Sequence, residues 1–377
     1  SFPVADMKNK AAPIVNNIKN RTMSAFFIIL NIYTPERIHM KKLIKMLTAA
    51  AVLTVMIIPQ TGCGKKTEPV TKESFYFDTV CQVTVYDMKN MSEDNAKDVI
   101  DKAFSQCEKY EKLLSKTKRG SDIYKINHAA GKAVQCDGIT IEVIKKGLEY
   151  SKLTNGKFDI TIGKAQDTWD FHNHKSKPPA KEKLAKAMKY VDYKQVKVNG
   201  NKVQMGTSKG EIDLGAVAKG YIADGIAKYL KEQGVTSAII SLGGNIECVG
   251  NKGGKPFNIG IEKPFSERSD IVGACDVDNQ TIVTSGIYER YIKYKGKKYH
   301  HILDSKTGMP VESDVVGVSI KSDFGHSGDC DGLSTTCLIL GSKEGKRLIE
   351  KMKGYEALFI LKSGKLVRTK GFELKEE

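Results

Sequence analysis

Apolar residues recur at helical spacing from Ala96 to Leu114, with Val99, Ile100, Ala103, Phe104, Cys107, Tyr110 and Leu113 on one stripe, which predicts an amphipathic helix capped by Ser92. The same periodicity predicts helices over 139–153, 181–189, 216–232, 331–340 and 343–352. Ahead of them, "ESFYFDTVCQVTVYDM" (73–88) alternates apolar and polar positions as a strand does and opens the domain. "VKVNGNKVQM" (196–205) sets two alternating runs about Asn199-Gly200-Asn201, a hairpin signature, and further hairpins are expected near Asp278-Asn279, Lys295-Gly296 and Ser363-Gly364. Strands that return through tight turns and interleave with helices predict an α+β fold: mixed, largely antiparallel sheets flanked by helices, not a doubly wound parallel sheet.

The N-terminal segment has a different character. "MKKLIKMLTAAAVLTVMIIPQTGC" (40–63) has the parts of an export signal: Lys41, Lys42 and Lys45, an apolar run from Leu47 to Ile58, then small residues before Cys63. Met40 is therefore the expected start, and residues 1–39 an upstream extension. The apolar run is shorter than the roughly 20 residues that span a bilayer, which favours a signal over a transmembrane anchor. Thr61-Gly62-Cys63 resembles a bacterial lipobox, with Gln60 where an aliphatic residue is usual. Cys63 is thus expected to be lipidated and to hold the chain on the extracytoplasmic face of the cell membrane, through a polar tether over 63–73.

Sixty Lys and Arg against 44 Asp and Glu give a net charge of +16, and the part after residue 62 stays basic. Its lysines are scattered among acids instead of forming aromatic-flanked stripes. That argues against a nucleic-acid reader and leaves a solvated surface or one lying near anionic lipid. The cysteines besides Cys63 lack CxxC spacing, which argues against a zinc ribbon and a full disulfide framework; buried free thiols are expected.

Candidate chemistry lies in three segments. "EIDLGAVAKGYIADG" (211–225) passes through small residues into a helix whose first N–H groups favour an anion, and Lys219, one turn in, adds a point charge suited to a phosphate. Tight packing of a small-residue helix on a sheet explains the same pattern. In "DCDGLSTTCLIL" (329–340), Asp331, at or near a helix N-cap, and Thr335 stand four apart on one face. They are hard oxygen donors of the kind Mg²⁺ takes while sharing itself with substrate phosphates, though a plain helix cap accounts for them too. "HHILDSKTGMP" (300–310) sets two histidines and an aspartate before a Thr-Gly-Met-Pro turn.

Taken together and in order, "FDTVCQVTVYD", "SDIYKIN", "GKFDITIG", "IDLGAVAKGYIADG", "SLGGN", "SGIYERY", "HHILDSKTGMPV" and "DGLSTTCLILG" resemble the ApbE-type flavin transferases, the FAD:protein FMN transferase family, over roughly residues 74–370. The resemblance implies a T-fold-like architecture with an FAD cleft between two subdomains, and residues 371–377 as a tail. It implies a Mg²⁺-dependent enzyme that cleaves FAD to AMP and attaches FMN by a phosphoester to a threonine or serine of an exported protein. The family's usual acceptors are subunits of Rnf or sodium-pumping NADH:quinone (Nqr-type) complexes and FMN-binding-domain proteins.

Carried over by motif, Asp331, Thr335 and the backbone carbonyl of Ala216 would hold Mg²⁺. Asp213 and Lys219 would contact FAD, with Lys219 near the diphosphate, while Lys157, Phe158 and Asp159 would line its adenine or ribose end. His301, beside FAD, would take the acceptor's proton, His300 would be structural, and Asp304 would orient His301 or close the turn. Three positions depart from the pattern. Phe77-Asp78-Thr79 replaces Met-Gly-Thr, Thr117 replaces a tyrosine expected near the isoalloxazine, and Ser305 replaces a proline; Phe77 and Thr117 bear on flavin-ring contacts. Hydrolysis of FAD by water, and a non-catalytic flavin-binding lipoprotein, are the alternatives. The Asp331/Thr335 pair speaks against the latter, because a passive binder needs no metal aligned with a diphosphate.

Overall fold

The structure, a computed structural model, describes residues 68–171, 177–267 and 269–376. The expected extension, the signal segment and Cys63 lie outside the described residues. Eight strands form the main sheet in the order β1 (Val70–Tyr76), β2 (Thr79–Met88), β6 (Val235–Leu242), β7 (Asn245–Val249), β10 (Gln280–Gly286), β13 (Val315–Asp323), β14 (Tyr355–Leu361) and β15 (Leu366–Arg368). Every neighbouring pair is antiparallel. Three helices lie against it: α1 (Glu93–Leu114) on β1 and β2, α6 (Ala218–Glu232) on β6 and β7, and α7 (Ser327–Ile349) on β10, β13 and β14. The stripe read in the sequence is the face that α1 buries, and Ser92 caps it by accepting from the Asn95 N–H at 3.2 Å.

A three-stranded sheet of β8 (Phe257–Glu262), β9 (Ile271–Val277) and β16 (Lys375–Glu376) adds Phe257, Ile261 and Val277 to the same core. A third sheet joins β3 (Val134–Gln135) to the hairpin β4 (Val196–Asn199) and β5 (Lys202–Met205), near α2 (Asp122–His128) and α3 (Gly138–Leu153). A second, smaller core gathers Ala165, Trp169, Phe171, Leu184, Ala187, Ile292 and Leu303. These come from α4 (Gly163–Gln166), α5 (Lys181–Met188), the hairpin β11 (Tyr291–Tyr294) and β12 (Lys297–His300), and the segments beside them. Trp169 stacks on Phe171 at 5.5 Å and donates its indole N–H to the Gly308 carbonyl at 2.8 Å, which ties the turn after β12 to this core.

Several expectations are corrected. The single strand read over 73–88 is a hairpin, because Phe77 and Asp78 both take positive φ (55° and 58°) and reverse the chain without a glycine. β1 begins at Val70, inside the stretch read as tether. The tail read over 371–377 buries Phe372 and pairs β16 with β9. Asp278-Asn279 joins β9 to β10, which belong to different sheets, so it is a turn between layers and not a hairpin. α7 starts four residues earlier than expected, which puts Asp331 inside the helix and not at its cap, and a break at Gly341 (φ 83°, ψ 171°) divides its two halves. α2 and α4 were not read from the sequence at all. The seven cysteines after Cys63 are free and buried. Among the described residues no helix is long and apolar enough to cross a membrane.

Candidate active site

The site is built where α6 crosses α7. A Cβ on Gly220 would lie 2.1 Å from the Ser327 carbonyl oxygen, so only glycine lets the two backbones approach this closely. The approach lets the Gly220 N–H, one of the first-turn amides that a helix leaves without a partner, donate to Asp331 Oδ2 at 3.0 Å. The buried Asp331 carboxylate is thus held by the amide end of α6, where the helix dipole favours a negative charge. Lys219 Nζ stands 3.9 Å from Asp331 Oδ1 and donates to the Gly215 carbonyl at 3.1 Å. Thr335, one turn beyond Asp331 and 7% exposed, has its hydroxyl 3.3 Å from Ser285 Oγ. The Asp331 carboxylate and the Thr335 hydroxyl are hard oxygen donors of the kind Mg²⁺ takes, and the backbone carbonyl of Ala216, two residues before α6, is of the same kind.

Asp213 enters this site from the segment before α6. Its Oδ1 accepts from the Gly215 N–H at 2.8 Å, and its Oδ2 lies 3.0 Å from Lys116 Nζ. Lys116 also reaches Asp167 at 2.7 Å. Burial opposes both charges, but the pairing prevails: Asp213 is held below the usual carboxylate range and Lys116 above the usual lysine value. Glu111 draws the loop of Thr117 toward the turn of Phe77, because it accepts from the Phe77 N–H at 3.2 Å and from Lys118 Nζ at 2.8 Å. The two positions expected to meet the flavin ring are therefore neighbours through Glu111; Thr117 is exposed and Phe77 half-buried.

His301 lies where the two cores meet, edge-on to Phe171 of the smaller one at 6.5 Å. Its Nδ1 is 3.1 Å from the Arg290 carbonyl. A carbonyl only accepts, so Nδ1 carries the proton and a neutral ring keeps its lone pair on Nε2. Burial, then the Arg290 guanidinium, push its pKa down to about 3, so the ring is neutral across the physiological range. The Glu289 carboxylate is turned back toward the protein, its Oε1 accepting from the Gly286 N–H at 3.0 Å. Desolvation pushes its carboxyl up to about 7 against the pull of Lys219 and Arg290, with Asp331 adding to the rise. His300 faces elsewhere: Nε2 meets the Val311 carbonyl at 3.2 Å, and burial lowers its pKa to about 4. The two imidazoles bind different carbonyls and form no metal pair.

Asp304 closes the turn and does not orient His301. Its Oδ1 accepts from the Lys306 N–H at 2.9 Å, the Thr307 N–H at 2.8 Å and the Thr307 hydroxyl at 2.9 Å. Ser305 donates to the Gly156 carbonyl, which brings the Lys157 segment against this turn. Lys157 is exposed there. Phe158 and Asp159 are not presented with it. Phe158 is 4% exposed and packs edge-on to Tyr150, while Asp159 accepts from the Thr161 N–H and hydroxyl and the Tyr193 N–H, holding the loop together. The structure therefore links Asp213, Lys219 and Asp331 through Gly215 at the start of α6, with Thr335 one turn on, sets His301 within the field of Lys219 and Arg290, and turns Phe158 and Asp159 inward.

The chain as a whole is similar to known proteins. A model of the ApbE family matches residues 77–359. The chain belongs to the ApbE family. A protein of Klebsiella pneumoniae named FAD:protein FMN transferase is 31% identical over 74% of this chain and 87% of its own length. One of the same name from Treponema pallidum is 29% identical over 82% and 90%. Among solved structures, the ApbE protein of Thermotoga maritima superposes with a TM-score of 0.73 at 26% identity, over 82% of this chain and 99% of that one. The flavin transferase ApbE from Vibrio cholerae, at 24% identity over 81% and 98%, has a TM-score of 0.70 and shares the fold.

Within this ApbE-family site, Lys116, Ser285, Glu289 and Arg290 were not singled out from the sequence. Glu289 and Arg290 carried a signal: adjacent opposite charges directly after a strand end in "SGIYERY". Lys116 carried none, since one lysine in a lysine-rich loop looks like its neighbours until Asp213 is placed beside it.

Proposed function

We propose that this chain is a Mg²⁺-dependent FAD:protein FMN transferase that moves FMN from FAD to a threonine or serine hydroxyl of an exported protein and releases AMP. The observation that supports the reading is the α6–α7 crossing, where the Gly220 N–H reaches Asp331 and Lys219 Nζ stands 3.9 Å from the same carboxylate. Relatives named for this activity, aligned over most of their length, support it. Asp331, Thr335 and Ala216 would hold Mg²⁺, which supplies charge neutralisation on the diphosphate's non-bridging oxygens. Lys219 binds the same diphosphate as a second positive charge. The acceptor hydroxyl oxygen attacks the phosphorus on the FMN side, its proton passes to His301 Nε2, and the P–O bond to AMP breaks. Asp213, held ionised by Lys116, orients FAD, and exposed Lys157 faces its adenosine end.

On this reading Cys63 is lipidated and the enzyme acts on the extracytoplasmic face of the membrane, on acceptors such as Rnf or Nqr-type subunits or FMN-binding-domain proteins. The test incubates the enzyme with FAD, Mg²⁺ and a domain bearing an acceptor threonine. In-gel flavin fluorescence together with AMP is the expected result. AMP without labelled protein indicates hydrolysis, and neither product leaves flavin binding alone. Radiolabelled palmitate incorporated by the parent and lost in Cys63→Ala checks the anchor; equal labelling of both contradicts it.

A further inference from the structure

A second cluster of acids lies behind the site and takes no part in the chemistry above. Asp224, on α6, accepts from the Ser327 N–H at 2.7 Å through Oδ1 and from the Gly328 N–H at 2.8 Å through Oδ2, the first amides of α7. A Cβ on Gly328 would already stand 3.2 Å from Asp224 Oδ2, so the helices are in contact here too. Glu247, on β7, is fully buried. Its Oε1 accepts from the Gly325 N–H at 2.8 Å, its Oε2 has no hydrogen-bond partner, and the neighbouring Thr281 hydroxyl donates instead to the Ile246 carbonyl at 2.9 Å. An ionised oxygen in that position would be a buried charge without a donor, which is costly. A protonated one has an acceptor close by in the Asp224 carboxylate.

We propose that Glu247 carries a proton, donates it to Asp224, and with Asp224 forms a positioning pair for the transfer reaction that clamps the start of α7 onto α6 and β7. Three and four residues beyond the clamped amides stand Asp331 and, one turn later, Thr335. The spacing of Asp331 and Thr335 from Ala216 and Lys219 therefore depends on the clamp. Burial first, then the Asp224 charge, push the Glu247 carboxyl up to about 8, and burial raises Asp224 to about 6, so Glu247 is the protonated partner. Around the pair stand Asp329 and Cys330 on α7, Lys146 on α3, Tyr110 on α1, Cys248 on β7 and Tyr355 on β14. Lys146 is the cation of that set, and it is engaged by Asp329. A second negative charge on Glu247 would thus go uncompensated.

The sign follows from linkage. The folded Glu247 value lies above that of a free glutamate, so the folded state keeps a proton that the unfolded chain releases. The stability that comes from keeping this proton is present below the free glutamate range and is lost as pH rises through about 8, while Asp224 supplies a charged acceptor above about 6. Between pH 7 and pH 9 the protonated fraction falls about tenfold.

Glu247→Gln tests the pair, because an amide is the neutral isostere that donates to Asp224 and accepts from Gly325 at any pH. The inference rests on the transferase reading, so two readouts are taken on the full chain. AMP release from FAD should give a kcat/KM that falls about tenfold more in the parent than in Glu247→Gln between pH 7 and pH 9. The Mg²⁺ concentration for half-maximal rate should rise over that range only in the parent. Thermal unfolding without FAD or metal should show a midpoint that drops with pH in the parent and not in the variant. If the parent released no AMP at any pH the transferase reading would fall, and the thermal comparison would still decide the pair. The same alkaline loss in both proteins, or a Glu247→Gln chain that does not fold, overturns the proposal.

Discussion

Gly220→Ala is the substitution for which the structure makes the sharpest forecast. In a helix interior the change alone favours folding by about 1 kcal/mol, because alanine loses less backbone entropy. Here the new methyl would sit 2.1 Å from the Ser327 carbonyl oxygen and 2.8 Å from Asp331 Cβ, where ordinary contact begins at 3.4 Å. α6 and α7 must then part by about 1 Å, since the atoms met are backbone and cannot rotate away. Overpacking of this kind costs about 1–3 kcal/mol. The bond from the Gly220 N–H to Asp331 Oδ2, 3.0 Å long in the parent, is lost with it and leaves a buried carboxylate oxygen unpaired, at about 1–3 kcal/mol more. The net expectation is a loss of about 1–5 kcal/mol in urea unfolding. AMP release should slow roughly a hundredfold, because Asp331 moves by about 1 Å relative to Ala216 and Lys219. A Gly220→Ala protein that unfolds at the parent's urea concentration and releases AMP at the parent's rate would refute the close crossing as the basis of the site.

Further outcomes follow from the same geometry. Asp331→Asn, which removes the charged donor while keeping shape, should abolish Mg²⁺-stimulated AMP release; a variant that keeps full activity at limiting Mg²⁺ contradicts the metal assignment. His301→Ala should slow FMN transfer by about 10²–10⁴-fold while FAD affinity, read by flavin fluorescence quenching, stays within a factor of two. Because the ring remains neutral down to about pH 3, the parent's transfer rate should show no histidine titration between pH 5 and pH 7. Lys116→Met strips Asp213 of its cation and should cost about 2 kcal/mol at neutral pH, measured by denaturant titration. Asp213 is held low in the folded state, so its contribution is present above the unfolded carboxylate range and disappears as pH falls through the folded value; in Lys116→Met that acid-side loss should shrink.

Much of this fold was legible because local rules agreed with global packing. The stripe from Ala96 to Leu114 and its Ser92 cap state α1 almost completely, since a helix of 22 residues leaves a long periodic record. The Asp331/Thr335 pairing survives from sequence to structure for the same reason: residues four apart on a helix share a face. The Phe77-Asp78 reversal escaped because no glycine or proline marks it, and alternation continues across the turn. α2 escaped because only seven residues leave too short a period to count. Phe158 and Asp159 illustrate a different limit. A Phe-Asp pair after a glycine turn reads alike whether it faces a ligand or, as here, the core and its own loop. Contacts between distant segments left no local mark: Lys116 with Asp213, His301 with the Arg290 carbonyl, and Asp224 with the start of α7 are products of the sheet order.

The central claim is that cleavage of FAD is coupled to modification of a protein hydroxyl. The most direct measurement is the ratio of AMP released to acceptor domain gaining the mass of FMN less water, followed by intact-protein mass spectrometry in the presence of Mg²⁺. The account predicts one AMP for each acceptor modified, with both lost together in Asp331→Asn. AMP accumulating while the acceptor's mass stays unchanged would contradict it.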